Sequence, residues 1–122
     1  MRRFVFFGFL FLSLTTVSAS AFSSSFSWCD IGSPEISLTG VPKGTVELDV
    51  VMSDLDKPDL DQGGGMIAYI GQSQIRCGAL PIKGPSPPSG THHYSLGISA
   101  IDSSGKTLGI STSTQPFTAR RH

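Results

Sequence analysis

Apolar and polar residues alternate one by one along much of the chain. From Thr45 to Met52, the residues Val46, Leu48, Val50 and Met52 alternate with Glu47, Asp49 and Val51. A two-residue period puts successive side chains on opposite faces, so this stretch reads as a half-buried strand. The same period from His92 to Ile101 places His92, Tyr94, Leu96, Ile98 and Ala100 on a core face, and His93, Ser95, Gly97, Ser99 and Ile101 on the other. Phe22, Phe26 and Trp28 oppose Ser23, Ser25 and Ser27, and Ile36 and Leu38 continue the pattern. Met66 to Ile70 is apolar throughout and reads as a short central strand covered on both faces; Gln74 to Cys77 reads as another short strand. Between these lie turn signals: Pro42-Lys43-Gly44, and Ser103-Ser104-Gly105-Lys106 leading into Thr107 to Ser111. The acidic segment Ser53 to Gly65, with Pro58 and three successive glycines, reads as an exposed loop. No segment after residue 21 has helical apolar spacing. Short strands joined by Gly/Pro turns predict an all-β, antiparallel sandwich.

The first 21 residues read as an address. Arg2 and Arg3 precede an apolar run from Phe4 to Leu14, and Ala19-Ser20-Ala21 supplies the small residues of a secretory cleavage site. That run is shorter than the roughly 20 residues a membrane-spanning helix needs, so no transmembrane segment is expected. The expectation is a signal peptide over 1–21, a single domain over 22–122, and export to the periplasm or the extracellular space. The whole chain balances 9 basic against 9 acidic residues, and losing Arg2 and Arg3 leaves the domain slightly acidic. Nothing in that balance attracts nucleic acid or an anionic membrane surface. Cys29 and Cys77 are an even pair in a chain bound for an oxidising compartment, which predicts a disulfide. They lack the paired spacing of a zinc site and the Cys-x-x-Cys of a redox motif.

The stretch from Gly84 to Tyr94 combines a stiff loop with candidate chemistry. Its three prolines fix their own φ and restrict the residue before each of them, and it runs into the strand that carries His92 and Tyr94. A core-facing His and Tyr at the mouth of a strand, beside a rigid loop, suit the wall of a small polar pocket. The Gly84-to-Tyr94 stretch resembles the Gly-x-Pro-Pro-x-Gly-x-His-Arg-Tyr signature of the phosphatidylethanolamine-binding protein family, which includes the Raf kinase inhibitor-like proteins and a small bacterial branch. Two further stretches match in order: Cys29-Asp30-Ile31-Gly32-Ser33-Pro34 through Val41-Pro42-Lys43-Gly44-Thr45, and Asp54-Leu55-Asp56-Lys57-Pro58, which is similar to the family's Asp-Pro-Asp-x-Pro. The resemblance implies a β-sandwich of that type, here minimal and shortened at the C-terminus, with an anion pocket at one end. It further implies that Asp54, His92 and Tyr94 line the pocket, with Asp56, Pro58, Gly84 and Pro85 around it.

The match has gaps. Gly65 stands where the family has a second His, His93 replaces the Arg of the signature, and Leu55 replaces a Pro. Each lost donor weakens anion binding, since a charge-assisted hydrogen bond contributes about 1.5–3 kcal/mol. Metal binding is not expected. Asp59-Leu60-Asp61-Gln62-Gly63-Gly64 begins like a calcium loop but has Gly63 at its fifth position and Ile70 at its twelfth, and the adjacent His92 and His93 face opposite sides of a strand. Catalysis is not expected either, because no serine sits in a nucleophile elbow. No cofactor is implied. The expected function is an exported module that holds a small anion or a phospholipid headgroup; the alternative is a protein-interaction or protease/kinase-inhibitor module with a vestigial pocket. The short polar stretch from Ser111 to His122 leaves one sandwich edge open, which a homodimer or a protein partner would cover.

Overall fold

The computed structural model describes residues 21–30, 32–85, 87 and 89–119. The leader expected over 1–21 lies, but for Ala21, outside the described residues. Among the described residues seven strands form two antiparallel sheets: β1 Ser23–Ser27, β2 Glu35–Thr39, β3 Thr45–Asp54, β4 Asp61–Ala68, β5 Gln74–Ile75, β6 Thr91–Asp102 and β7 Thr107–Thr118. One sheet has the order β1-β2-β5 and the other β4-β3-β6-β7. The described residues include no helix, and so none long and apolar enough to cross a membrane.

The core lies between the sheets and comes from the alternation. Leu48, Val50 and Met52 of β3 and Tyr94, Leu96, Ile98 and Ala100 of β6 are buried against Phe26, Ile36, Leu38 and Ile75 of the smaller sheet, with Leu80 and Ile82 closing one side. Fully burying such an aliphatic side chain contributes about 1.5–3 kcal/mol, which favours the β3–β6 register that puts these residues inside. Thr45 to Asp54 of β3 pair with Asp102 to Tyr94 of β6, so Asp54 lies directly across from Tyr94.

Four expectations fail, each for a local reason. Val46 is 43% exposed although the alternation places it inside; the β3–β6 register shifts between Thr45 and Glu47, and this bulge turns Val46 out and Thr45 in. The segment Asp61 to Gly65 is strand, not loop, and its glycines permit the pairing. A Cβ on Gly64 would collide with the carbonyl oxygen of Val50, and one on Gly65 would come within 3.0 Å of Pro81 Cδ. Met66 to Ile70 is not a central strand: β4 is the edge of its sheet, ends at Ala68, and leaves Met66 56% exposed. The last strand runs to Thr118, pairing with all of β6 to Thr91, instead of stopping at Ser111. Its own edge is partly taken up by β1: Ser24 and Ser111 share a hydroxyl hydrogen bond of 2.7 Å, and Trp28 Nε1–H donates to the Pro116 carbonyl at 2.8 Å. Pro116 fits there because an edge strand does not need its N–H.

The disulfide forms as expected. Cys29 and Cys77, 48 positions apart, are bonded with their Cα atoms 6.0 Å apart, tying the end of β1 to the segment after β5.

Candidate functional site

Asp54 is the last residue of β3 and sits on its inward face, 1% exposed. A buried carboxylate needs donors, and the turn that follows supplies two: the Asp56 and Lys57 amides donate to Asp54 Oδ1 at 2.9 and 3.2 Å. The third comes from β6, where His92 Nδ1 lies 2.6 Å from Asp54 Oδ2. Burial by itself would raise the Asp54 pKa. The hydrogen bond to His92 and the Asp56 amide, with the charge of His92 and the Lys57 amide, outweigh it and hold the carboxyl below its ordinary value. The group is therefore an ionised carboxylate, with His92 oriented by it through Nδ1. That leaves Nε2 as the ring nitrogen that Asp54 does not engage.

A second Asp–His pair lies beside the first, and the sequence reading missed it. The His93 amide donates to Asp56 Oδ2 at 2.7 Å, and His93 Nδ1 lies 3.5 Å from the same oxygen. Leu55 N–H also donates to the His93 carbonyl at 2.8 Å. The two Asp–His contacts therefore clamp the Asp54–Lys57 turn onto the mouth of β6. The available signal was the spacing itself: two Asp at i and i+2 after one core strand, and two adjacent His opening its partner. As expected from the strand period, the His93 side chain faces away from the core and is 57% exposed, against 13% for His92.

Tyr94 follows on the inward face. It is fully buried and packs edge-on against Trp28 at 5.4 Å, while Trp28 packs in turn against Phe26 and Phe117. These rings fill the core behind the Asp54–His92 pair. Gly84 is buried and Pro85 half-buried, joined by a cis peptide bond; Ser86 and Pro88 lie outside the described residues. Gly84 is tightly seated, because a Cβ there would collide with Gln62 Oε1 and stand 3.5 Å from Met52 Sδ. Gln62 is 4% exposed, and its Oε1 has no donor among the described residues. Pro58 is exposed in the turn that ends with the Leu60 N–H bonded to the Lys57 carbonyl.

The cavity at this end differs from the expected one. It has a volume of about 340 Å³, and Gly84 and Pro85 do form part of its wall. Its remaining walls are Cys29, Asp30, Gly32, Ile82, Lys83 and Phe117, so Asp54, His92 and Tyr94 do not line it. Phe117 links the two, since it is the cross-strand partner of His92. The absent second His has a geometric counterpart. Gly65 pairs with Val50, four residues before Asp54 on β3, so at about 3.3 Å per residue it lies roughly 13 Å along the strand from the pair. A histidine at that position would meet Pro81 before it reached Asp54.

No protein-family model, no curated protein and no solved structure matches this chain.

Proposed function

We propose that the chain is an exported binding module, similar to the phosphatidylethanolamine-binding proteins, that holds a small anion or a phospholipid headgroup at the Asp54–His92 end of its sandwich. The observation that carries this reading is the 2.6 Å contact between His92 Nδ1 and a buried Asp54, made at the mouth of β6. An imidazole anchored through one nitrogen presents the other in a fixed direction, and in its protonated form that nitrogen is a charge-assisted donor to an oxyanion. The Cys29–Cys77 bond supports export, because disulfides persist in oxidising compartments. Binding without chemistry is the simpler reading of this dyad, since no described hydrogen bond joins a serine to His92.

The test is titration of the purified, oxidised protein with inorganic phosphate and with phosphoethanolamine by calorimetry. Saturable binding lost in His92→Ala and retained in His93→Ala is expected. Equal loss in both variants, or binding that His92→Ala leaves intact, refutes the assignment.

A second reading is an interaction module, which one observation favours. On the outer face of the larger sheet Val51, Met66 and Ile110 are 51%, 56% and 65% exposed. If phosphate and phosphoethanolamine both fail to bind at millimolar concentration, this becomes the better account.

A further inference from the structure

A site for an anion at this position also carries two carboxylates. Asp54 and Asp56 lie side by side, each next to one imidazole, His92 at 2.6 Å and His93 at 3.5 Å. Lys83 adds nothing to the positive side, because it is 68% exposed and paired with Asp61 at 3.3 Å. An oxyanion entering alone meets both carboxylates, whose charge the two imidazoles offset only when both are protonated.

The same residues suit a cation. One ring nitrogen of His92 and one carboxylate oxygen from each of Asp54 and Asp56 lie within 4.8 Å of one another. They come from two elements, the end of β3 with its turn and the start of β6, so the fold and not chain adjacency brings them together. Two of the three side chains are largely buried, at 2% exposure for Asp54 and 13% for His92, while Asp56, 46% exposed, leaves the cluster open to solvent on one side. An ion bound at about 2.1 Å to each donor sets the donors roughly 3–4 Å apart. Reaching that arrangement needs the 2.6 Å His92–Asp54 contact to open by roughly an ångström and the exposed Asp56 to close on the pair. One imidazole with two carboxylates is a mixed N/O set suited to a first-row divalent ion such as Zn²⁺ or Mn²⁺, whereas Ca²⁺ and Mg²⁺ prefer oxygen throughout. The partners for an outer layer are present too: the Asp56 and Lys57 amides fix Asp54, and the His93 amide fixes Asp56.

We infer that Asp54, Asp56 and His92 form a divalent-metal site, and that the bound ion is what makes this end of the sandwich a receptor for phosphate-type oxyanions. The inference rests on the anion-binding reading for its second half only. Metal entry replaces the hydrogen bond between His92 Nδ1 and Asp54: the Nδ1 proton moves to Nε2 in the neutral ring or leaves to solvent from the charged one. The bound ion then adds two positive charges beside the carboxylates, and an oxyanion can complete its coordination.

The experiment is calorimetric titration of the chelator-treated, oxidised protein with Zn²⁺ alone and Mn²⁺ alone, followed by phosphate with and without Mn²⁺. One equivalent of metal is expected to bind saturably. Asp56→Asn should weaken it by about tenfold or more while Asp59→Asn, an exposed acidic control in the same loop, leaves it unchanged. Phosphate affinity should fall by a similar factor when Mn²⁺ is withheld. Absence of saturable metal binding, or binding that Asp56→Asn does not weaken, overturns the metal site. Phosphate binding of equal strength with and without metal overturns the coupling and leaves the anion reading standing. Metal binding with no response to phosphate supports the site and overturns the anion reading.

Discussion

Replacing Asp54 by alanine removes one acceptor on which three donors converge: His92 Nδ1 at 2.6 Å, the Asp56 amide at 2.9 Å and the Lys57 amide at 3.2 Å. The two amides belong to an exposed turn and can exchange Asp54 for water. His92 cannot do so fully, because its side chain is only 13% exposed. Hydrogen bonds to a charged group contribute about 1.5–3 kcal/mol each, and removing one member of a buried pair costs roughly 3–5 kcal/mol. Access of the amides to water places this loss at the lower end, about 3 kcal/mol. With a urea m-value of about 1–1.5 kcal/mol/M for a domain of this size, the unfolding midpoint should fall by about 2–3 M. Asp54→Asn keeps an acceptor for the amides but loses the charge, and should fall between wild type and alanine. The assay is equilibrium urea unfolding of the oxidised protein at neutral pH, followed by the fluorescence of Trp28. A midpoint change below about 0.5 M for Asp54→Ala would mean that water replaces these bonds at no cost, and would refute the claim that the pair organises this end of the sandwich.

The same carboxylate sets the acid response: a carboxyl whose folded pKa is depressed contributes fully above its ordinary value of about 3.9, and its contribution is lost as the pH falls through the folded value. Urea midpoints measured across the acid range should therefore decline more steeply below about pH 4 in wild type than in Asp54→Ala. Asp61, lowered by the Gly63 amide and Lys83, and Asp102, lowered by the Ser104 hydroxyl and the Lys106 amide, add to the decline in both proteins, so parallel curves would count against the role of Asp54. Reducing Cys29–Cys77, which closes 48 positions, should cost about 2–4 kcal/mol and lower the melting temperature by roughly 10 °C or more in calorimetry. Two β-sheet glycines should respond oppositely to alanine. Gly64→Ala drives a Cβ into the Val50 carbonyl and should cost several kcal/mol by urea unfolding, whereas Gly97→Ala, whose Cβ finds no atom nearer than Val51 O at 3.9 Å, should be neutral or mildly stabilising.

The long strands were legible because one physical signal dominated them. In β6 the two-residue period sorts Tyr94, Leu96, Ile98 and Ala100 into the core, and burial follows it residue by residue. Asp54 and His92 were legible as a pair through the resemblance and the face arithmetic, and the fold places their side chains in contact. Elsewhere local propensity and tertiary context disagree. Gly63-Gly64-Gly65 carries every signal of a loop, yet β4 needs glycine where the Val50 carbonyl and Pro81 crowd the strand, a condition visible only once β3 and the Leu80–Ile82 segment are in place. The second half of β7 has no apolar alternation to read. It is held by backbone pairing to β6 and, at Pro116, by the Trp28 side chain, a contact 88 positions apart in sequence. Val46 was misplaced because a bulge shifts the register by one residue, and nothing in the period announces it. The Asp56–His93 pair escaped for a different reason: a strand-face argument assigns His93 to solvent, which is correct, but does not exclude a partner reaching it from the adjoining turn.

The central claim is that the Asp54–His92 end of the sandwich is where a ligand binds. Its most direct test is a two-dimensional NMR titration of the isotope-labelled, oxidised protein with Mn²⁺-free phosphate, then with Zn²⁺ and phosphate together, reading the ring signals of His92 and His93 and the amides of Asp56, Lys57 and Lys83. The account predicts saturable shifts at His92, Asp56 and Lys57 that are larger when Zn²⁺ is present, with little change at Lys83. Saturable shifts centred on Lys83 and the Gly84–Pro85 wall, with His92 unmoved, would place the ligand in the neighbouring cavity and contradict the claim.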